Sequence, residues 1–155
     1  MKDRRKKKQV KKKVQQIKKI NFEIPSEWLY VVQEKVSLHD LYDDLKEKTC
    51  WRTEYWEEAE VLEIDIPKAG SVDLEFMDMD SEDEELLAYM ERHEAKAVYA
   101  VTVVPEYYTE AQAVMRYIVK KFGGLFCADT ADFLPEVSEV PVTTREQEDL
   151  QNIQL

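Results

Sequence analysis

The chain has 155 residues, 44% of them apolar or aromatic, which suffices for one hydrophobic core but not two. Its formal charge of -11, from 22 Lys and Arg against 33 Asp and Glu, conceals a change of sign: positions 1–21 hold eleven bases and one acid, a charge of +10, and leave -21 on the remainder. No apolar run of about 18 residues could span a bilayer and no apolar stretch follows the basic start, so a cytoplasmic protein is expected.

The first segment, MKDRRKKKQVKKKVQQIKKIN, reads as a basic arm kept disordered by its own charge. Val10, Val14, Ile17 and Ile20 would share one side of a helix if an acidic surface neutralised the lysines. Arg4, Arg5, Lys6, Lys7, Lys8, Lys11, Lys12 and Lys13 are the candidate contacts to nucleic acid or an anionic membrane, and such contacts are expected through the arm alone.

Pro25 and Ser26 open an acidic domain expected over residues 22–137. EWLYVVQEK suits a strand by its bulky and β-branched residues, while Ser26 before Glu27 suits a helix start, and the balance favours helix. Ser37 caps a firmer helix, SLHDLYDDLKEK, with Leu38, Leu41, Tyr42 and Leu45 on one face and Asp40 in the first turn. After the aromatic stretch CWRTEYW, Leu62, Ile64 and Ile66 alternate with Glu63 and Asp65. Beyond a turn at Lys68 to Gly70, Val72, Leu74 and Phe76 alternate with Asp73 and Glu75. The two runs predict a hairpin with an apolar inner face and an acidic outer one.

Ser81 and Glu84 fit a capping box for a helix with Leu86, Leu87 and Met90 inward, ending near His93. KAVYAVTVV is apolar on both faces, as a central strand covered by helices should be. Thr109 and Gln112 fit a second capping box for AQAVMRYIVKKF, with Gly123 ending that helix. GLFCADTADFLP reads as a last strand and a turn at Asp129 to Asp132, and residues 138–155 as a polar tail. The expected fold is α+β: a mixed four-to-five-stranded sheet with helices on one face, in the order α-α-β-β-α-β-α-β. With a strand at Trp28 instead, the first six elements would follow a ferredoxin-like β-α-β-β-α-β order, followed by α-β.

Few residues carry a chemical signature. The acidic run from Asp78 to Glu85 fails as a calcium loop, because the sharp-turn glycine position holds Asp83 and the bidentate-acid position holds Tyr89. It reads instead as a helix start rich in first-turn acids. Asp129 and Asp132 could in principle act as acid and base or hold a metal, but turn aspartates ordinarily accept backbone hydrogen bonds. His39 and His93 fall on separate helices, and Cys50 and Cys127 have no CxxC or nucleophile signature, so no metal, cofactor or catalytic residue is assigned. Gly123 and Gly124 end a helix, whereas a phosphate loop must begin one.

The strand KAVYAVTVVPE, the helix after it and KKFGGLFCADTADFLPE together resemble the ends of small acidic α+β immunity proteins of bacterial polymorphic toxin systems. The resemblance covers about a third of the chain. It implies a cytoplasmic, non-enzymatic protein that binds and blocks a partner, and it transfers no residue roles, since that family shares no catalytic motif. The charge map points independently to a basic protein partner, with Glu63, Asp65, Asp73, Glu75, Asp78, Asp80, Trp51 and Trp56 as the candidate contact residues. The alternative is an accessory or regulatory protein tethered by its arm to nucleic acid, ribosome or membrane.

Overall fold

A computed structural model describes residues 24–80 and 82–139. The basic arm, its helical pattern and its candidate contacts lie outside the described residues, as does Ser81; of the expected tail only Ser138 and Glu139 are described. Seven strands form one open antiparallel sheet: β1 (Glu27–Val32), β2 (Arg52–Trp56), β3 (Val61–Asp65), β4 (Ser71–Met77), β5 (Ala97–Thr102), β6 (Leu125–Ala128) and β7 (Glu136–Ser138). Their order across the sheet is β2-β3-β4-β5-β1-β6-β7. Among the described residues the helices are α1 (Leu38–Lys48), α2 (Glu84–Arg92) and α3 (Tyr108–Phe122), the last entered through a 3-10 turn at Pro105–Tyr107.

The α+β class therefore holds, but the mixed sheet of four or five strands does not. Glu27–Val32, for which a helix start was favoured, is a strand, and it pairs antiparallel with β5 on one side and β6 on the other. Every residue from Trp28 to Val32 is buried, 28, 30 and 32 on one face and 29 and 31 on the other. Full burial of an apolar side chain is worth about 1.5–3 kcal/mol, so a segment apolar on both faces gains most in the middle of a sheet. The ferredoxin-like alternative fails as well, because β2 is interposed before the hairpin and β4 pairs with β5, whereas that fold would place β1 between them.

Helices cover both faces, not one. Leu38, Leu41 and Leu45 of α1 and Val114, Met115, Ile118 and Val119 of α3 pack on the even positions of β1 and on Leu62, Ile64, Val72 and Leu74. On the opposite face Leu86, Tyr89 and Met90 of α2 pack with Leu29, Val31, Val98, Leu125 and Cys127. Leu87, expected inward, is 39% exposed and Tyr89 takes its place.

Two of the helix starts also differ from expectation. Ser37 caps α1 as its sequence predicts, accepting from the Asp40 amide at 3.1 Å. The cap of α2 is Asp83, whose carboxylate accepts from the amides of Glu85 and Leu86, so the helix begins after the expected Ser81 box. The 3-10 turn lets α3 begin at Tyr108 with no side-chain cap, ahead of the Thr109 box. Gly123, at φ 79°, ends α3 as expected.

The hairpin forms as its alternation requires, with Leu62 opposite Leu74 and Ile64 opposite Val72. Lys68 and Gly70 take positive φ in the connection. Phe76, expected inward, is 49% exposed near the end of β4. Among the described residues no helix is long and apolar enough to cross a membrane.

Candidate functional site

The apolar cluster beneath α2 draws on β1, β5 and β6 and takes only Met77 from β4, so this helix leaves the same face of β2, β3 and β4 open. Side chains alternate across a pleated strand, and the observed registers then decide what that open face carries. It carries all five carboxylates of the three strands, Glu54, Glu63, Asp65, Asp73 and Glu75, together with one cation, Arg52.

Three of the carboxylates form one row, while Asp65 lies opposite Arg52 and Ser71, and Glu75 opposite Val61 and Ala100. Glu54 is paired with Glu63, Glu63 with Asp73, Asp73 with Thr102 and Thr102 with Glu27, a line running from the edge strand to the central one. Paired residues in antiparallel strands have Cα atoms only about 4.5–5.5 Å apart, and like charges directly opposite destabilise the sheet. Arg52 offsets a little of this through Glu54, at 3.3 Å. Burial raises the Glu63 carboxyl above its ordinary range; Asp65, by hydrogen bond and charge, and the charges of Asp73 and Glu54 raise it further. Asp73 is also raised, mainly by burial and then by Asp65, against a lowering hydrogen bond from Ser71. Its Oδ1 is shut off from solvent and has no hydrogen-bond partner among the described residues.

Trp56 is paired with Val61 and Val61 with Glu75, so an indole that is 53% exposed borders the carboxylates on the same face. Trp51 does not join it. That ring is half-buried, packs edge-on against Tyr117 of α3 at 5.7 Å and belongs to the main core. Asp78 and Asp80 are exposed in the loop after β4, where the Asp80 amide donates to Asp78 Oδ1 at 3.1 Å. Sequence reasoning missed Glu54 and Glu27. The alternation of Thr53 and Tyr55 with Arg52, Glu54 and Trp56 carries a strand signal that could have found the first; the second follows only from placing β1.

The aspartates at 129 and 132 have divergent surroundings. Asp132 Oδ1 accepts from the Thr130 hydroxyl at 2.9 Å and the Leu134 amide at 3.1 Å, bonds that hold its carboxyl below the usual range. Asp129 is raised, first by burial and then by the charges of Glu27 and Asp83. His39 lies 3.2 Å from Asp43 on α1, and His93 caps the far end of α2 against the Tyr89 ring. Cys50 is exposed; Cys127 is buried, and desolvation is the main cause that pushes its thiol up to about 12. Among the described residues no three His, Cys, Asp or Glu side chains converge as metal ligands would.

The fold and this face define an α+β protein with an open antiparallel sheet, half of one face apolar and helix-covered, half acidic. Compared with protein-family models, curated proteins and solved structures, the chain has no match.

Proposed function

We propose that the protein is a non-enzymatic binding protein that covers a basic surface of a protein partner with the open face of β2, β3 and β4, in the manner of an immunity or inhibitor protein. The observation that carries this reading is the in-register line Glu54, Glu63 and Asp73. Carboxylates paired in this way repel one another in the free protein, and a lysine- or arginine-rich partner relieves that repulsion on binding. Trp56 at the border supplies the aromatic area that typically anchors an interface.

The test begins with affinity capture from the native host, followed by association kinetics of the captured partner with the wild-type chain and the E54Q/E63Q/D73N variant. Steering by the acidic face predicts an association rate that falls steeply with salt and drops about tenfold in the variant at low ionic strength. A partner that binds both proteins alike, with no salt dependence, would falsify the reading.

A further inference from the structure

We infer that the chain's own basic segment, residues 1–21, is the resting occupant of the acidic face of β2, β3 and β4. The inference rests on the proposal that this face takes cations, and adds that a partner must displace a ligand supplied by the same chain.

Charge complementarity identifies the occupant. The segment carries +10, while the rest of the chain carries -21. On the three strands of the open face Arg52 is the single cation against five carboxylates. Two acids elsewhere have local partners: Asp44 meets Lys48, Lys121 and Tyr117, and Asp83 caps α2. Asp73 Oδ1 has no hydrogen-bond partner among the described residues.

Reach is sufficient. The described chain starts at Ile24, which packs against the helix-covered core, and β1 begins at Glu27, the end of the carboxylate line. From β1 to β2 are four strand spacings, about 19 Å at about 4.8 Å each. To pass from one face to the other the segment must also round the end of the sheet, a further path of roughly 10 Å. Twenty residues span roughly 65 Å extended, so the extended segment rounds the end of the sheet and crosses the whole line.

Occupancy by a tethered cation gives the face a threshold. Because the tether sets a high local concentration, a weakly held segment excludes weak or diffuse cations, and only a partner of greater charge density or shape match displaces it. This selects a structured basic protein surface over nonspecific polycations.

The experiment uses the full chain in four forms: wild type, an arm-neutral variant with Lys6, Lys7, Lys8, Lys11, Lys12 and Lys13 replaced by Gln, the face variant E54Q/E63Q/D73N, and their combination. Arm neutralisation should lower the melting temperature of the wild type by about 3 °C at low salt, leave the face variant unchanged, and have no effect in 1 M salt. Carbodiimide coupling of the monomer should join arm lysines to Glu54, Glu63, Asp73 or Glu75 in preference to Asp43 and Glu47 on α1. The arm-neutral chain should also bind a basic partner about tenfold more tightly. Additive melting shifts, or cross-links found equally on α1 or only between molecules, overturn the inference. If partner binding still depends on Glu63 and Asp73 in that case, the arm assignment fails alone; if it does not, the reading of the face fails with it.

Discussion

Glu63 of β3 stands directly opposite Asp73 of β4, two carboxylates held in register on a sheet face whose neighbouring half is covered by α2. Neutralising either one should stabilise the fold. E63Q and D73N are each expected to gain about 0.2–1 kcal/mol in thermal or urea denaturation at low salt, with the double variant short of the sum because both relieve the same repulsion. The gain should shrink in 0.5 M NaCl. Loss of stability in both single variants would show that the pair is not repulsive.

The same carboxylates set the pH dependence. Glu63, Asp73 and Asp129 are raised in the folded state, so the folded protein binds more protons than the unfolded chain between the ordinary carboxylate range and their higher folded values. Stability must fall as pH rises through that window and recover on acidification. Asp44 and Asp132 act oppositely, being lowered, so their contribution is present above the ordinary value of 3.8 and is lost as pH falls through their folded values. Melting temperatures between pH 3 and 8 should therefore peak on the acid side of neutrality and fall below about pH 4. A maximum above pH 7 contradicts this assignment.

Tyr117 ties α3 to α1 by donating to Asp44 Oδ1 at 2.6 Å. Burial acts against the Asp44 charge, but this bond, with Lys121 and Lys48, outweighs it. Y117F removes one charge-assisted bond while two cations remain, and should cost about 1–2 kcal/mol with an unchanged denaturant slope. The acid-side loss of stability should also shift toward higher pH, which simple loss of packing would not produce.

Gly124 and Gly123 form an internal control. Both have positive φ, yet a Cβ at Gly124 would lie 2.5 Å from the Val31 carbonyl oxygen and 2.7 Å from Val32 Cγ1, whereas one at Gly123 meets nothing within 4 Å. G123A should cost about 1–2 kcal/mol from backbone strain. G124A adds a clash with the central strand and should cost clearly more, enough to lower the yield of folded protein. Equal losses by urea titration would contradict the close approach of this turn to β1.

The thiols should react in two classes. Cys50 is exposed, while burial suppresses the Cys127 thiolate. A disulfide reagent at pH 8 should modify one thiol promptly and the second only on global unfolding, at a rate that follows denaturant. Prompt reaction of both would mean that β6 opens locally.

Much of the fold was legible because its signals are local. Alternation of Leu62, Ile64, Val72 and Leu74 with acids gave the hairpin and the side on which its carboxylates stand. Ser37, Gly123 and the two-faced apolar run of β5 gave a helix start, a helix end and a central strand. The helix starts show the limit of such signals, since Asp83 caps α2 and a 3-10 entry starts α3 with no side-chain cap from Thr109.

By itself the sequence determined the opposed charges of arm and domain and the acidity of the hairpin's outer face, because charge and period-two alternation depend on residue order alone. Only the tertiary structure decided that Glu27–Val32 is a strand, since five consecutive apolar residues have no period and their conformation depends on β5 and β6, which are remote in the chain. It also decided that α2 covers one half of a face and leaves the other, and that β2 brings Glu54 opposite Glu63. Strand pairing and layer choice are long-range. They turned a scattered set of acids into one in-register row with a bordering indole.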